Sequence, residues 1–167
     1  AGDLTVDWLL DPENARALAV PRFLWLEDET LLLVDATKPE AERSLERLDP
    51  RSLERKPAGD RGRLLEGWKA LVGEEKAPKG VSLPSAAALD SKTLLYEHSG
   101  DIFLLDLVAG AVRRVTNTEA QEAAPRFSPD GRWVAYVREN DIHAAETASG
   151  RERRLTRVNS VTARFLP

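Results

Sequence analysis

Between Trp133 and Val137 the chain reads WVAYV, a short run of β-branched and aromatic residues. That composition predicts a buried strand. It is preceded by FSPDGR (127–132), where Pro129, Asp130 and Gly131 form a turn whose glycine tolerates positive φ. The polar REND (138–141) predicts a second turn, DIHAAET (141–147) a second strand, and ASGR (148–151) a further turn with Gly150 at its tight position. ERRLT (152–156) is expected to be a third strand at an outer edge, where charge discourages pairing with other chains. The same grammar occurs once upstream: TLLYE (93–97), HSGD (98–101), IFLLDL (102–107), VAGA (108–111) and VRRVT (112–116).

The two units superpose at an offset of 40 residues. Asp90 falls on Asp130, Tyr96 on Tyr136, Asp101-Ile102 on Asp141-Ile142, Gly110 on Gly150, Arg113-Arg114 on Arg153-Arg154 and Thr116 on Thr156. These are 8 identities in 31 ungapped positions. A period of about 40–45 residues is that of one four-stranded propeller blade. The pattern therefore predicts an all-β fold, a partial β-propeller. Phe127, Trp133 and Tyr136 are expected to pack between neighbouring blades. Asp101 and Asp141 are expected to bond turn amides rather than a cation.

A weaker copy precedes these units. WLEDETLLLVDA (25–36) aligns with FSPDGRWVAYVR, placing Trp25 on Phe127, Asp28 on Asp130 and Val34 on Tyr136. Residues 45–56 then stand where the later strands belong. Beyond them Leu64, Leu65, Trp68, Leu71 and Val72 take helical spacing up to Gly73, which predicts an amphipathic helix over 61–72. A shorter helix is expected at PENARAL (12–18), with Asp11 as cap and Pro12 at its first position. The division that follows is a lead-in at 1–20, a degenerate first blade at 21–59, a short helical insertion at 60–80, two clear four-stranded blades at 81–120 and 121–157, and an atypical tail at 158–167.

Composition narrows the chemistry. The net charge of −4, from 28 acidic and 24 basic residues, is dispersed. The densest basic group, Arg151, Arg153, Arg154 and Arg157, is interleaved with Glu152 and reads as a solvated edge rather than a nucleic-acid surface. No apolar run approaches the about 20 residues of a membrane span. The chain has no cysteine, which excludes disulfides and a thiolate nucleophile. It also has no methionine, so a processed or excised piece is expected. His98 and His143 are its only histidines, and neither has the partners of a metal site. There is no glycine-rich phosphate loop and no G-x-S-x-G turn. Neither a catalytic residue, a metal ligand nor a cofactor site is predicted.

APRFSPDGRWVAYVRENDIHAAETASGRERRLT (124–156) resembles the N-terminal β-propeller of the dipeptidyl-peptidase IV branch of the prolyl oligopeptidase (S9) family. SGDIFLLDL (99–107) and PRFLWLEDETLLLVD (21–35) continue the likeness upstream. The resemblance implies a bacterial serine peptidase in which an eight-bladed propeller covers a C-terminal α/β-hydrolase domain. It implies release of N-terminal dipeptides, the propeller gating and orienting the peptide, and a periplasmic or secreted location. The family's propeller also supplies a glutamate pair that holds the substrate's free amino terminus through charge-assisted hydrogen bonds. Where that pair is expected, this chain reads RVNSVTARFLP (157–167), which suggests truncation or a shifted frame. The doublet Glu74-Glu75 has the right composition in another place and reads as solvated charge. The substrate-contacting arginine expected near LLYEHSGD (94–101) has no counterpart. A Tol-B-like propeller fragment serving as a protein-binding scaffold is the alternative. An incomplete propeller is further expected to expose an apolar face around Val134, Tyr136 and Ile142, and to self-associate.

Overall fold

The computed structural model describes residues 5–12, 14 and 20–157. A short helix α1 (Val6–Leu10) is capped by Thr5, whose hydroxyl accepts from the Trp8 amide at 3.2 Å. Most of the helix expected at PENARAL lies outside the described residues. Twelve strands follow in chain order as three antiparallel meanders. The first sheet is β1 (Arg22–Trp25), β2 (Leu31–Val34), β3 (Leu45–Leu48) and β4 (Arg55–Pro57). The second is β5 (Ala86–Ala87), β6 (Thr93–His98), β7 (Asp101–Asp106) and β8 (Val112–Arg114). The third is β9 (Glu122–Phe127), β10 (Trp133–Arg138), β11 (Asp141–Glu146) and β12 (Glu152–Arg154).

Each sheet is a blade with two chemically distinct faces, because successive strand residues point to opposite sides. In the second blade, Leu94, Tyr96, Phe103 and Leu105 point back into a core shared with Leu26, Leu32, Val34 and Leu45 of the first. Its other face, Leu95, Ile102 and Leu104, packs forward on Val134, Tyr136, Ala145 and Phe127 of the third. The back face of one blade thus meets the front face of its predecessor twice in the molecule.

The first blade is complete in structure, although degenerate in sequence. One alignment is corrected. Trp25 pairs with Leu31, whereas Phe127 pairs with Val134, so the turn after β1 is one residue shorter. A shift of one residue exchanges the faces of a strand. Leu33, not Val34, therefore occupies the position of Tyr136, and Val34 faces forward into the core.

The helical insertion is helix α2 (Arg61–Val72). Asp60 caps it by accepting from the Arg63 amide at 3.0 Å, and Gly73 ends it at φ 82°. Leu64 and Trp68 are its buried residues. A Cβ on Gly67 would stand 2.7 Å from the Gly110 carbonyl oxygen. This glycine, unfavourable in a helix interior, is what lets α2 approach the β7–β8 turn.

Two hairpins need left-handed backbone at both turn residues. Ser99 and Gly100 have φ of 51° and 87°, and Glu139 and Asn140 have φ of 50° and 66°. This is the twist-matched hairpin turn that favours Asn-Gly. Glutamate suits it poorly, since left-handed backbone costs an L-residue about 1 kcal/mol. Glu139→Asn should therefore stabilise the chain by about 0.5–1 kcal/mol. A urea melt should show a higher midpoint at unchanged slope.

Candidate functional site

A cluster of buried polar groups links the second blade to the third around the β8–β9 connection. Asp101 opens β7 and is 3% exposed. It takes an ion pair from Arg114 at the end of β8. Thr116, just beyond β8, accepts the Ile102 amide at 2.9 Å and donates its hydroxyl to Glu122 at 2.7 Å. Glu122 opens β9, anchored by its own amide to the Gly100 carbonyl at 2.8 Å. Its fully buried carboxylate also receives the Thr118 hydroxyl at 2.7 Å and Arg138 Nε at 2.6 Å. Arg138, closing β10, turns Nη2 to Glu152 of β12 at 2.7 Å. Tyr136 donates its hydroxyl to the same carboxylate at 2.6 Å, and the guanidinium lies 5.3 Å from the Tyr136 ring centroid.

Periodicity explains this convergence. Tyr136 and Arg138 share one face of β10, and Glu152 reaches the same face through the β11–β12 pairing. The electrostatics match. Burial, followed by the hydrogen bond to Glu152, pushes the Tyr136 phenol well above its ordinary value. The hydrogen bond from Arg138 holds the Glu152 carboxyl below its ordinary value, and the one to Glu152 raises Arg138. These groups are mutually satisfied: Arg138 ties Glu122 and Glu152 within the third blade, Thr116 and the Gly100 carbonyl tie Glu122 to the second, and the arrangement presents no activated nucleophile or base.

A carboxyl whose folded value is lowered binds protons less readily when folded. Its contribution is complete above its unfolded value and is lost as pH falls through the folded one. The Glu152 contribution should therefore be present above the ordinary carboxyl value of 4.5 and fade below it. Thermal melts of Glu152→Gln against the parent should differ near neutrality and converge in acid.

The third blade repeats the fastening with one member fewer in the described residues. Asp141 pairs with Arg154, and Thr156 accepts the Ile142 amide at 2.8 Å while donating to Asp141 at 3.1 Å. In the second blade the next strand supplies Glu122 to this group. The repeated acids thus tie the last strand of their own blade. Asp101 also accepts the Thr118 amide at 3.3 Å, but arginine and threonine are its main partners, not the hairpin turn.

The other signature residues take these places. Phe127 is half-buried against the seam. Pro129 is exposed in its turn. Asp130 accepts the Ser128 hydroxyl at 2.5 Å and the Arg132 amide at 3.1 Å, and Gly131 has φ 69°. Gly110 and Gly150 end their turns at φ 67° and 72°. Trp133 is a correction: an odd number of residues separates it from Tyr136, so it lies on the opposite face. It is half-buried there, with the Arg153 guanidinium 5.4 Å from its ring. The expected uncovered face is corrected for the same reason. Val134 and Tyr136 are buried in the seam at 0% and 1% exposure, and Ile142 alone of the three is open.

His98 bonds the Lys76 carbonyl at 2.6 Å, and His143 stacks on Tyr136. Among the described residues no group of three His, Cys, Asp or Glu side chains could hold a metal. Glu74 is exposed and bonded to Lys69 at 2.8 Å. Among the described residues no helix is long and apolar enough to cross a membrane. Sequence reasoning missed Glu122, Arg138 and Glu152 as a group. The usable signal was the doubled Asp…Arg-x-Thr pattern at 101, 114, 116 and 141, 154, 156.

Residues 88–164 match the family model described as the dipeptidyl peptidase IV N-terminal region. The match takes in strands β6 to β12. The structure of Porphyromonas gingivalis dipeptidyl peptidase 4 superposes on this chain with a TM-score of 0.65 and 19% identity, over 95% of this chain and 22% of that one. TolB from Acinetobacter baumannii superposes with a TM-score of 0.53 and 18% identity, over 83% of this chain and 33% of that one. At these identities both show the fold alone, a partial β-propeller. The chain spans about a fifth and a third of the two proteins.

Proposed function

We propose that this chain is a non-catalytic N-terminal propeller segment of a dipeptidyl-peptidase-IV-like serine exopeptidase. In the parent, the propeller gates and orients a peptide whose N-terminal dipeptide a C-terminal α/β-hydrolase domain releases. The observation that supports this reading is the family match, which spans the two blades linked through Glu122. The seam has the character of scaffold, since every group in it is engaged by another.

The purified chain is expected to show no turnover of dipeptide amides with a free amino terminus. The open reading frame that carries it, expressed with its downstream sequence, is expected to release dipeptides. Acetylating the substrate's amino terminus or adding a serine-directed inhibitor should abolish that activity. Turnover by the chain alone, or a downstream sequence lacking both a glutamate pair and a G-x-S-x-G turn, would overturn the reading. The latter outcome would favour a Tol-B-like binding scaffold, the alternative that the TolB superposition supports.

A further inference from the structure

Between the second and third blades, at the end carrying the β5–β6 and β9–β10 turns, lies a groove of about 590 Å³. Both of its walls belong to this chain. Leu104 and Phe127 line it, Asp90 and Gly131 face it from the two blades, and the Arg113 guanidinium within it bonds the Thr147 carbonyl. The corresponding place between the first and second blades holds an arginine. There Arg47 ion-pairs with Asp28 in a turn of its own blade and donates to the Ser91 carbonyl, in a turn of the next, at 2.8 Å.

Register makes the two places equivalent. Counted from the strand pairs that close the turns, Trp25–Leu31 and Ala87–Leu94, Leu32 corresponds to Leu95. Arg47 pairs with Leu32 and Leu104 with Leu95, so Leu104 stands where the first blade has Arg47. The acceptors are kept. Asp28, Asp90 and Asp130 each accept the amide two residues on, and the next residue of each turn, Glu29, Ser91 or Gly131, has positive φ. Asp90 therefore matches Asp28, and the Gly131 carbonyl matches that of Ser91. We propose that this groove receives an arginine side chain of a partner polypeptide, its guanidinium between Asp90 and the Gly131 carbonyl and its stem on Leu104 and Phe127. A planar guanidinium donates to two acceptors at once, and its methylene stem suits an apolar floor. Charge agrees. Among the described residues Asp90 takes hydrogen bonds only from its own turn and forms no ion pair, and Asp90, Asp106 and Asp130 line the groove against the single Arg113. Arg113 does not exclude a second guanidinium, because Lys56 stands beside Arg47 in the same pairing relation. The Gly131 carbonyl accepts the Thr147 hydroxyl at 3.0 Å and keeps its second lone pair.

The test follows backbone amide NMR shifts of the isotope-labelled chain during titration with acetyl-Ala-Arg-Ala-amide. Saturable shifts are expected at the two turns, residues 90–93 and 131–133. The same peptide with citrulline, which keeps the shape and lacks the charge, or with lysine, which keeps the charge and lacks the fork, should bind about tenfold more weakly. Asp90→Asn should weaken the arginine peptide by about tenfold, the worth of one hydrogen bond to a charged group. Leu104→Arg supplies the side chain from within, as Arg47 does in the first seam, and should abolish binding. Absence of saturable shifts, shifts confined to other surfaces, equal binding of the lysine or citrulline peptide, or binding that survives either substitution unchanged would overturn the proposal. If Leu104→Arg loses its cooperative melt, Asp90→Asn, at an exposed position, decides alone.

Discussion

Replacing Arg138 with leucine is expected to destabilise the chain by about 3–5 kcal/mol, the cost of breaking a buried ion pair from one side. The effect should be large because the two carboxylates are placed unequally. Glu152 is 33% exposed in its side chain and can recover water, whereas Glu122 is fully buried. Without the guanidinium, Glu122 keeps only the Thr116 and Thr118 hydroxyls, which cannot neutralise its charge. It must take up a proton or draw water into the seam, and either opens the contact between the blades. Guanidinium-induced unfolding measures the loss. A second substitution distinguishes charge from packing: Glu122→Gln added to Arg138→Leu should recover part of the stability, because the orphaned charge is gone. If the double variant is weaker than the single one by the full cost of a further lesion, the orphaned charge is not the cause.

The comparable effect in the apolar core belongs to Trp68. Its ring centroid lies 4.8 Å from Phe103, 5.1 Å from His98 and 5.9 Å from Tyr96, the last edge-on. It is 4% exposed. Helix α2 uses this ring to cover part of the second blade's back face. Trp68→Ala should cost about 3–5 kcal/mol, the transfer of a large aromatic plus the cavity it leaves. Trp133→Ala should cost much less, since that half-buried ring stands on the outward face against Arg153. Matched denaturation curves of the two variants check this ordering. Equal losses would mean that the face assignment of β10 is wrong.

The blades were legible in the sequence because what makes a blade is local. Alternation over five or six residues, a turn built on an aspartate and a glycine at positive φ each act within a few positions, and each occurs twice at one spacing. Helix α2 was legible too, its apolar residues recurring at helical period between an aspartate and a glycine. The face a strand presents was less secure. In the first blade a turn shortened by one residue moved Leu33 to the position expected for Val34. Trp133 shows the same sensitivity, for one strand places it and Tyr136 on opposite sides although both are aromatic.

The seam was decided only by tertiary structure. Glu122, Arg138 and Glu152 are separated by 16 and 14 residues and lie on three strands. Nothing in their own neighbourhoods distinguishes them from the many charged residues on the surface. What selects them is that stacking one blade on the next removes water from a single face, and a charge on that face is tolerable only where the fold brings it a partner. Local chemistry determined that there would be blades. Which charges lie between them was settled by the direction each strand faces once the sheets are stacked.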